Sequence, residues 1–307
     1  MKQFSRFMFR LLSLAVLVLV STTGIHAYAT EVHVTVDGIR YFCYYDGWRQ
    51  DAVADYAFAS RPLDREESRA YSIQSTVDYE LKWKEKGPNG NLVEKTKRLS
   101  FKVTKISNYA FKDSKLTSIS IPNTIETIGG GAFENCVNLN HISLPSSVKE
   151  IGGDLCKGCT SLSKINLNTT ITEIPSCAFN GCKSLHDVVI PSGVKKIGTS
   201  AFQNCTNLAD LNLGQVEIIG PSAFSGCKNL SPIIIPHTVK LIDIYAFYGC
   251  CPMNIVMESG EPPRAQLAFD EECYKKSQLI VPFGTIDTYK KSNRGWSHFE
   301  HIVHSSK

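Results

Sequence analysis

A six-residue phrase recurs through the middle of the chain at nearly constant spacing. ISNYAF from Ile106, IGGGAF from Ile128, IPSCAF from Ile174, IGTSAF from Ile197, IGPSAF from Ile219 and IDIYAF from Ile242 follow one another, with IGGDLC from Ile151 filling the one gap. The steps are of 22 or 23 residues. Ala268-Phe269 marks a degenerate eighth unit in the same register. A period of this length means that each unit is one supersecondary coil, too small to bury its own apolar side chains and stable only when stacked on its neighbours.

Within a unit the phrase runs on as F-x-x-C-x-x-L-x-x-I-x-I-P, as in Phe133, Cys136, Leu139, Ile142, Leu144 and Pro145, or Phe224, Cys227, Leu230, Ile233, Ile235 and Pro236. The closing I-x-I alternates with period two, so it predicts a short strand with its apolar residues inward and the intervening ones outward. The proline stops that strand. A later V-x-x-I, Val148 and Ile151 or Val239 and Ile242, supplies a second inward pair before the chain turns at glycine. About six side chains per coil point inward, each stabilising by roughly 1.5–3 kcal/mol as an upper estimate once neighbouring coils cover them.

The motif I-G-x-x-A-F-x-x-C-x-x-L-x-x-I-x-I-P resembles the 23-residue leucine-rich repeat of the BspA-like surface proteins and their treponemal relatives, over residues 106–271. The expected fold is a leucine-rich repeat solenoid, β-rich with short helical turns, of about seven to eight coils. The resemblance implies adhesion or protein binding at a cell surface, by analogy and not by derivation from a site.

Outside the repeat, Lys2, Arg6 and Arg10 precede an apolar run from Leu11 to Val20 and a small-x-small site at Ala27-Tyr28-Ala29. This is the pattern of a secretory leader, residues 1–29, cleaved after Ala29. The apolar run is shorter than the roughly 20 residues of a spanning helix, so an uncleaved anchor is the weaker alternative. Losing the leader leaves 30 basic against 29 acidic residues, which gives nucleic-acid binding no support. Residues 30–105 read as a β-rich N-terminal cap. Val32, Val34 and Val36 alternate with polar residues, and Asp37-Gly38 precedes the run Ile39 to Tyr45 as in a hairpin. Val77, Tyr79, Leu81 and Trp83 alternate as well, residues 51–70 read as a charged connection, and Ala57-Phe58 echoes the repeat. Residues 272–307, with Leu279 to Pro282 and then Tyr289, Trp296 and Phe299, resemble the closing unit of the same family, a strand followed by a short helix.

Eleven cysteines in an exported chain suggest disulfides, but six of them, Cys136, Cys159, Cys182, Cys205, Cys227 and Cys250, occupy one position of successive coils. That register reads as a buried file of small apolar thiols, with pairing between neighbouring coils as the alternative. Cys156 and Cys159 spell C-x-x-C, yet Cys156 stands where the repeat has Phe and no second such pair follows, which argues against a redox or zinc site. Any bridge would have to come from Cys43, Cys177, Cys251 and Cys273, which fall outside the file. His298, His301 and His304 could touch a metal from one side of a helix, and a solvated tail is the plainer expectation. Eight basic residues between Lys82 and Lys105 (Lys82, Lys84, Lys86, Lys95, Lys97, Arg98, Lys102 and Lys105) read as a solvated face, or else as a patch for an acidic partner or glycan. No nucleophile motif, zincin motif or phosphate-cradling loop appears, so the reading is of a protein without catalytic residues, cofactor or metal, with a hydrolase as a remote alternative.

Function is then expected on the outward strand positions, which stacking aligns into two columns. One reads Ser118, His141, Lys164, Asp187, Asp210, Pro232; the other reads Ser120, Ser143, Asn166, Val189, Asn212, Ile234. Small polar residues at one end and exposed Val189 and Ile234 at the other suggest a mixed interface for a protein partner, such as a host matrix or envelope protein. The competing expectations are that these residues merely solvate the sheet while contact falls on the convex side or a cap, or that the protein is a structural envelope component.

Overall fold

The computed structural model describes residues 18–21, 24–27, 30–37, 39–45, 56–62 and 69–305. Val18–Ser21 pairs antiparallel with Gly24–Ala27; the charged start of the expected leader and its cleavage junction at Tyr28-Ala29 lie outside the described residues. From Ser118 onward the chain winds as a succession of short strands and tight turns, each unit laid parallel on the one before.

Every coil contributes two strand segments. The I-x-I segments form parallel three-residue strands whose central residues are buried or nearly so, among them Ile142, Ile165 and Val188. The V-x-x-I segments form two-residue strands on another side of the coil. Lys105, Thr127 and Glu150 stand in one register with Ile106, Ile128 and Ile151 beside them. Glu173–Ile174, Lys196–Ile197, Ile218–Ile219 and Leu241–Ile242 continue the pattern. Ion pairs run from coil to coil along this second side, with Lys149 Nζ 3.0 Å from Glu126 and Lys196 Nζ 2.8 Å from Glu173. Both pairs are exposed and screened by solvent, so they contribute little. Burial of the apolar interior they flank stabilises the stack far more.

Between the two strand segments the I-G-x-x-A-F stretch makes consecutive hydrogen-bonded turns, for example Glu134 N to Gly131 O at 3.0 Å and Cys136 N to Phe133 O at 3.2 Å. The turns are tied across coils: Phe133 N donates to Leu155 O, Phe179 N to Ala201 O and Phe224 N to Ala246 O. The fourth residue of the phrase takes a left-handed conformation in every coil, at Tyr109, Gly131, Asp154, Cys177, Ser200, Ser222, Tyr245 and Leu267, with φ of 54–60°. The second position is glycine where the coils touch most closely. A Cβ on Gly152 would fall 2.3 Å from the backbone N of Gly130.

The interior is a file of rings. Phe111 stacks on Phe133 at 5.5 Å, Phe179 on Phe202, Phe202 on Phe224 and Phe224 on Phe247 each at 5.3 Å, and Phe247 on Phe269 at 5.4 Å. Such near-parallel pairs add about 0.5–1.5 kcal/mol each beyond the area they bury. The file breaks once, where Leu155 and Cys156 replace the usual Ala-Phe pair, both fully buried.

The N-terminal region is spliced into the stack. Ala70–Ser72 pairs in parallel with Ser118–Ser120, placing Tyr71 beside Ile119, and Tyr71 and Ile73 are buried. Val103 and Ile106, at the end of the long strand Leu92–Ile106, are fully buried and supply the second inward pair of the same coil. A repeat unit therefore precedes the first legible one. Its short Pro-Ser-Ser link, seen at 145–147, is replaced by the hairpin of Thr76–Lys86 and Leu92–Ile106. On that hairpin Lys82, Lys84, Arg98 and Lys102 are exposed, opposite buried Val77, Leu99 and Phe101. The stretch expected as a charged connection contains the strand Tyr56–Pro62, which lies parallel to Leu92–Ile106 with Ala59 beside Ile106. The hairpin Thr30–Val36 and Ile39–Tyr45, closing at Val36 and Ile39, extends the same sheet.

At the other end, two short helices, Glu271–Lys276 and Ile286–Lys290, close the core. The carboxylate of Asp270 caps the first by accepting from Cys273 N at 2.8 Å. Trp296 and Phe299 cover Phe269 at 5.8 and 5.4 Å, and the Trp296 indole N–H donates to Pro263 O at 2.7 Å. The three histidines near the terminus form neither a helical cluster nor a solvated tail. His298 lies in a 3-10 turn against Tyr274, and His301–His304 is a strand in register with Gln278–Val281. Alternation over H-I-V-H is too short to announce a strand; the neighbouring strand induces it.

Candidate binding face

All eleven residues expected to meet a partner are exposed on the outward side of the three-residue strands: Ser118, Ser120, His141, Ser143, Lys164, Asn166, Asp187, Val189, Asp210, Asn212 and Ile234. Register brings eight of them into one hydrogen-bonded sheet. His141 stands beside Lys164, Lys164 beside Asp187 and Asp187 beside Asp210, while Ser143 is beside Asn166 and Val189 beside Asn212. The remaining three sit on separate sheets. Ser118 and Ser120 pair with Ala70 and Ser72, and Ile234 pairs with Val256. At the second break Pro232 occupies the rung between Asp210 and Asn254 and has no N–H to donate, so the ladder from Asp210–Asn212 is not continued there.

The face extends beyond Ile234, which sequence reading missed. Ile234, Val256, Ile280 and Val303 form one column across four successive strands, and Asn254, Gln278 and His301 form its polar neighbour. Ile234 is exposed, and Val256, Ile280 and Val303 are half-buried. A shallow depression of about 620 Å³ opens beside them, bordered by Met253, Lys276, Gln278, Lys290, His301 and Val303. The signal was present in I-V-M at 255–257 and L-I-V-P at 279–282, whose parity carries the outward column onward; only the spacing had drifted from the repeat.

A second, smaller depression of about 220 Å³ lies between Asp187–Val189 and Asp210–Asn212. Val189 is 70% exposed at its edge. His186 Nδ1 is 2.6 Å from Asp187 Oδ1, and the Asp210 carboxylate faces the same point. The face thus passes from Ser and Lys at one end, through paired carboxylates, to a branched apolar column at the other.

The cysteines do different work. Each thiol of the file donates to a carbonyl of the preceding coil: Cys136 to Phe111, Cys159 to Phe133, Cys205 to Phe179, Cys227 to Phe202 and Cys250 to Phe224, at 3.0–3.2 Å, with Cys182 donating to Cys156 at 3.2 Å. All ten cysteines whose side chains are described, the file together with Cys156, Cys177, Cys251 and Cys273, are unbridged. Burial pushes the thiols of Cys156, Cys182 and Cys250 up, and that of Cys273 up to about 12. Such thiols stay protonated and packed, the opposite of what a nucleophile or metal ligand needs.

Parallel three-residue strands with Leu and Ile inside, joined by turns on an internal phenylalanine file, define a leucine-rich repeat solenoid with an extended outward face. The model of the BspA type leucine rich repeat region matches in six copies, over residues 104–216 and 201–281. The chain belongs to that family. Among solved structures, it is similar to a leucine-rich repeat protein from Eubacterium ventriosum, at 25% identity and a TM-score of 0.51, over 63% of this chain and 48% of that one. The chain therefore spans about half the length of that protein. A leucine-rich repeat protein from Bacteroides ovatus shares 21% identity with a TM-score of 0.52, over 83% of this chain and 80% of that one. No curated protein matches the chain significantly.

Proposed function

We propose that this chain is a non-catalytic binding or adhesion module, exported by a leader cleaved after Ala29, that holds a protein partner of a host matrix or cell envelope along the outward face of its three-residue strands. The observation that carries the reading is the exposure of branched side chains with no packing role, Val189 at 70% and Ile234 at 44%, on the outward side of successive coils across two sheets. Most strand faces turned to water carry polar residues, and an apolar column there is what a protein partner covers. No helix among the described residues is long and apolar enough to cross a membrane.

The test places a photo-crosslinking residue at Val189, at Ile280 or at Tyr248, the last an exposed position on the turn side. Irradiation of intact cells and of host matrix proteins, followed by mass spectrometry, is expected to yield the same partner from the first two positions and none from the third. Crosslinks from Tyr248 alone would move the interface to the turns. Val189→Lys with Ile234→Lys is expected to weaken capture without changing the far-ultraviolet circular dichroism.

A further inference from the structure

The charges on this solenoid are mostly arranged so that stacking sets opposite signs together, as with Glu126 beside Lys149 and Glu173 beside Lys196. Asp187 and Asp210 break the pattern. They stand in direct register on adjacent parallel strands, both exposed, and such like charges repel. Lys164, the rung on the other side of Asp187, makes no ion pair among the described residues. The group that does turn toward the carboxylates is the imidazole of His186, at 2.6 Å from Asp187. The three side chains each offer one donor atom, and those atoms lie within 4.8 Å of one another.

We propose that His186, Asp187 and Asp210 bind a transition-metal dication of the zinc class on the outward face. One nitrogen and two carboxylate oxygens form the donor set of three that leaves a coordination position open, and mixed imidazole and carboxylate ligation selects such ions over calcium or magnesium. Ligand bonds of about 2.0–2.2 Å set donor atoms roughly 3–3.5 Å apart, so the His186–Asp187 contact opens slightly to admit the ion, an adjustment that exposed side chains reach by rotation about χ1 and χ2. The ion would cancel the repulsion that the register imposes. The depression bordered by Asp187, Val189, Asp210 and Asn212 leaves the open position accessible, so that, on the binding reading above, an acidic or histidine side chain of the partner completes the coordination.

Calorimetric titration of the full chain with zinc chloride, after removal of metal with EDTA, is expected to show one ion per chain. His186→Ala and Asp210→Asn are each expected to weaken it at least about tenfold, as loss of a ligand or its close support does. Cobalt substituted for zinc reports the donors: a nitrogen and oxygen site gives visible bands without the intense near-ultraviolet thiolate-to-metal absorption. Affinity in both variants unchanged from that of the unaltered chain, no binding by the unaltered chain, or a thiolate band that places the ion on cysteines would each overturn the proposal. Crosslinking to the partner is repeated in EDTA. Capture that persists there while zinc fails to bind removes the metal site and leaves the binding face standing; capture lost only in EDTA is the result the metal site predicts, and capture absent from every outward position with zinc present as well removes the face.

Discussion

The thiol of Cys159 donates to the carbonyl oxygen of Phe133 at 3.0 Å, across the seam between two coils. The same bond repeats along the file, which explains why a small apolar residue with a donor is kept at this position where alanine would fill much of the space. The file has a thermodynamic signature. Burial raises the thiols of Cys182 and Cys250 above their unfolded value of about 8.5, so the folded chain keeps protons that the unfolded chain releases. The stabilisation is fully present below about pH 8.5 and is lost as pH rises beyond it, by up to about 1.4 kcal/mol per pH unit for each thiol. Urea unfolding midpoints are expected to be flat from pH 7 to 8 and to fall from pH 8.5 to 9.5. Replacing Cys182 and Cys250 with Ala should flatten the fall; an unchanged slope would place its origin elsewhere.

The break in the ring file is compensated within its own coil. Leu155 is larger than the usual alanine and Cys156 smaller than the usual phenylalanine, and both are fully buried. Cys156→Phe alone overfills the coil and is expected to cost about 1–3 kcal/mol. Adding Leu155→Ala should recover most of that loss by completing the stack from Phe133 to Phe179. Chemical denaturation of the two variants decides it, since additive costs would show that the residues do not share one volume.

Two turn positions call for opposite substitutions. Gly152→Ala drives a Cβ to within 2.3 Å of Gly130 N, backbone against backbone, and should separate the coils at a cost of several kcal/mol, with a lowered and broadened thermal transition. Ser222 carries φ of 54°, where a side chain strains the backbone. Ser222→Gly relieves strain of about 1–2 kcal/mol against an unfolded-state entropy cost of up to about 1 kcal/mol, so the melting temperature should stay or rise slightly. A marked fall would mean that the serine hydroxyl does more than occupy the turn.

Much of this architecture is legible in residues 106–271, because each coil repeats one local solution and its inward residues announce themselves by spacing. Phe133, Phe179 and Phe202 fall into file as their common position requires. The coil built from Tyr71, Ile73, Val103 and Ile106 is not legible, because a long hairpin separates its halves and no period survives the insertion. His301–His304 was hidden for a different reason: four residues with two histidines become a strand only when Gln278–Val281 lies alongside. The outward face proposed for binding was half visible. Its polar columns follow from parity, but their apolar continuation through Val256, Ile280 and Val303 depends on a register that the drifting repeat conceals.

The sequence by itself determined the coil, its inward side chains and its turns, since these are set by contacts within one period and with the identical period next to it. The tertiary structure decided where the stack begins and ends, where the strand ladder breaks, and which outward residues become neighbours. Those outcomes depend on pairing between segments far apart or out of period, and a hydrogen-bond register between two strands is a property of neither strand alone. The meeting of His186, Asp187 and Asp210 is the sharpest case: three ordinary surface residues that acquire a common chemistry only because one coil is laid on another.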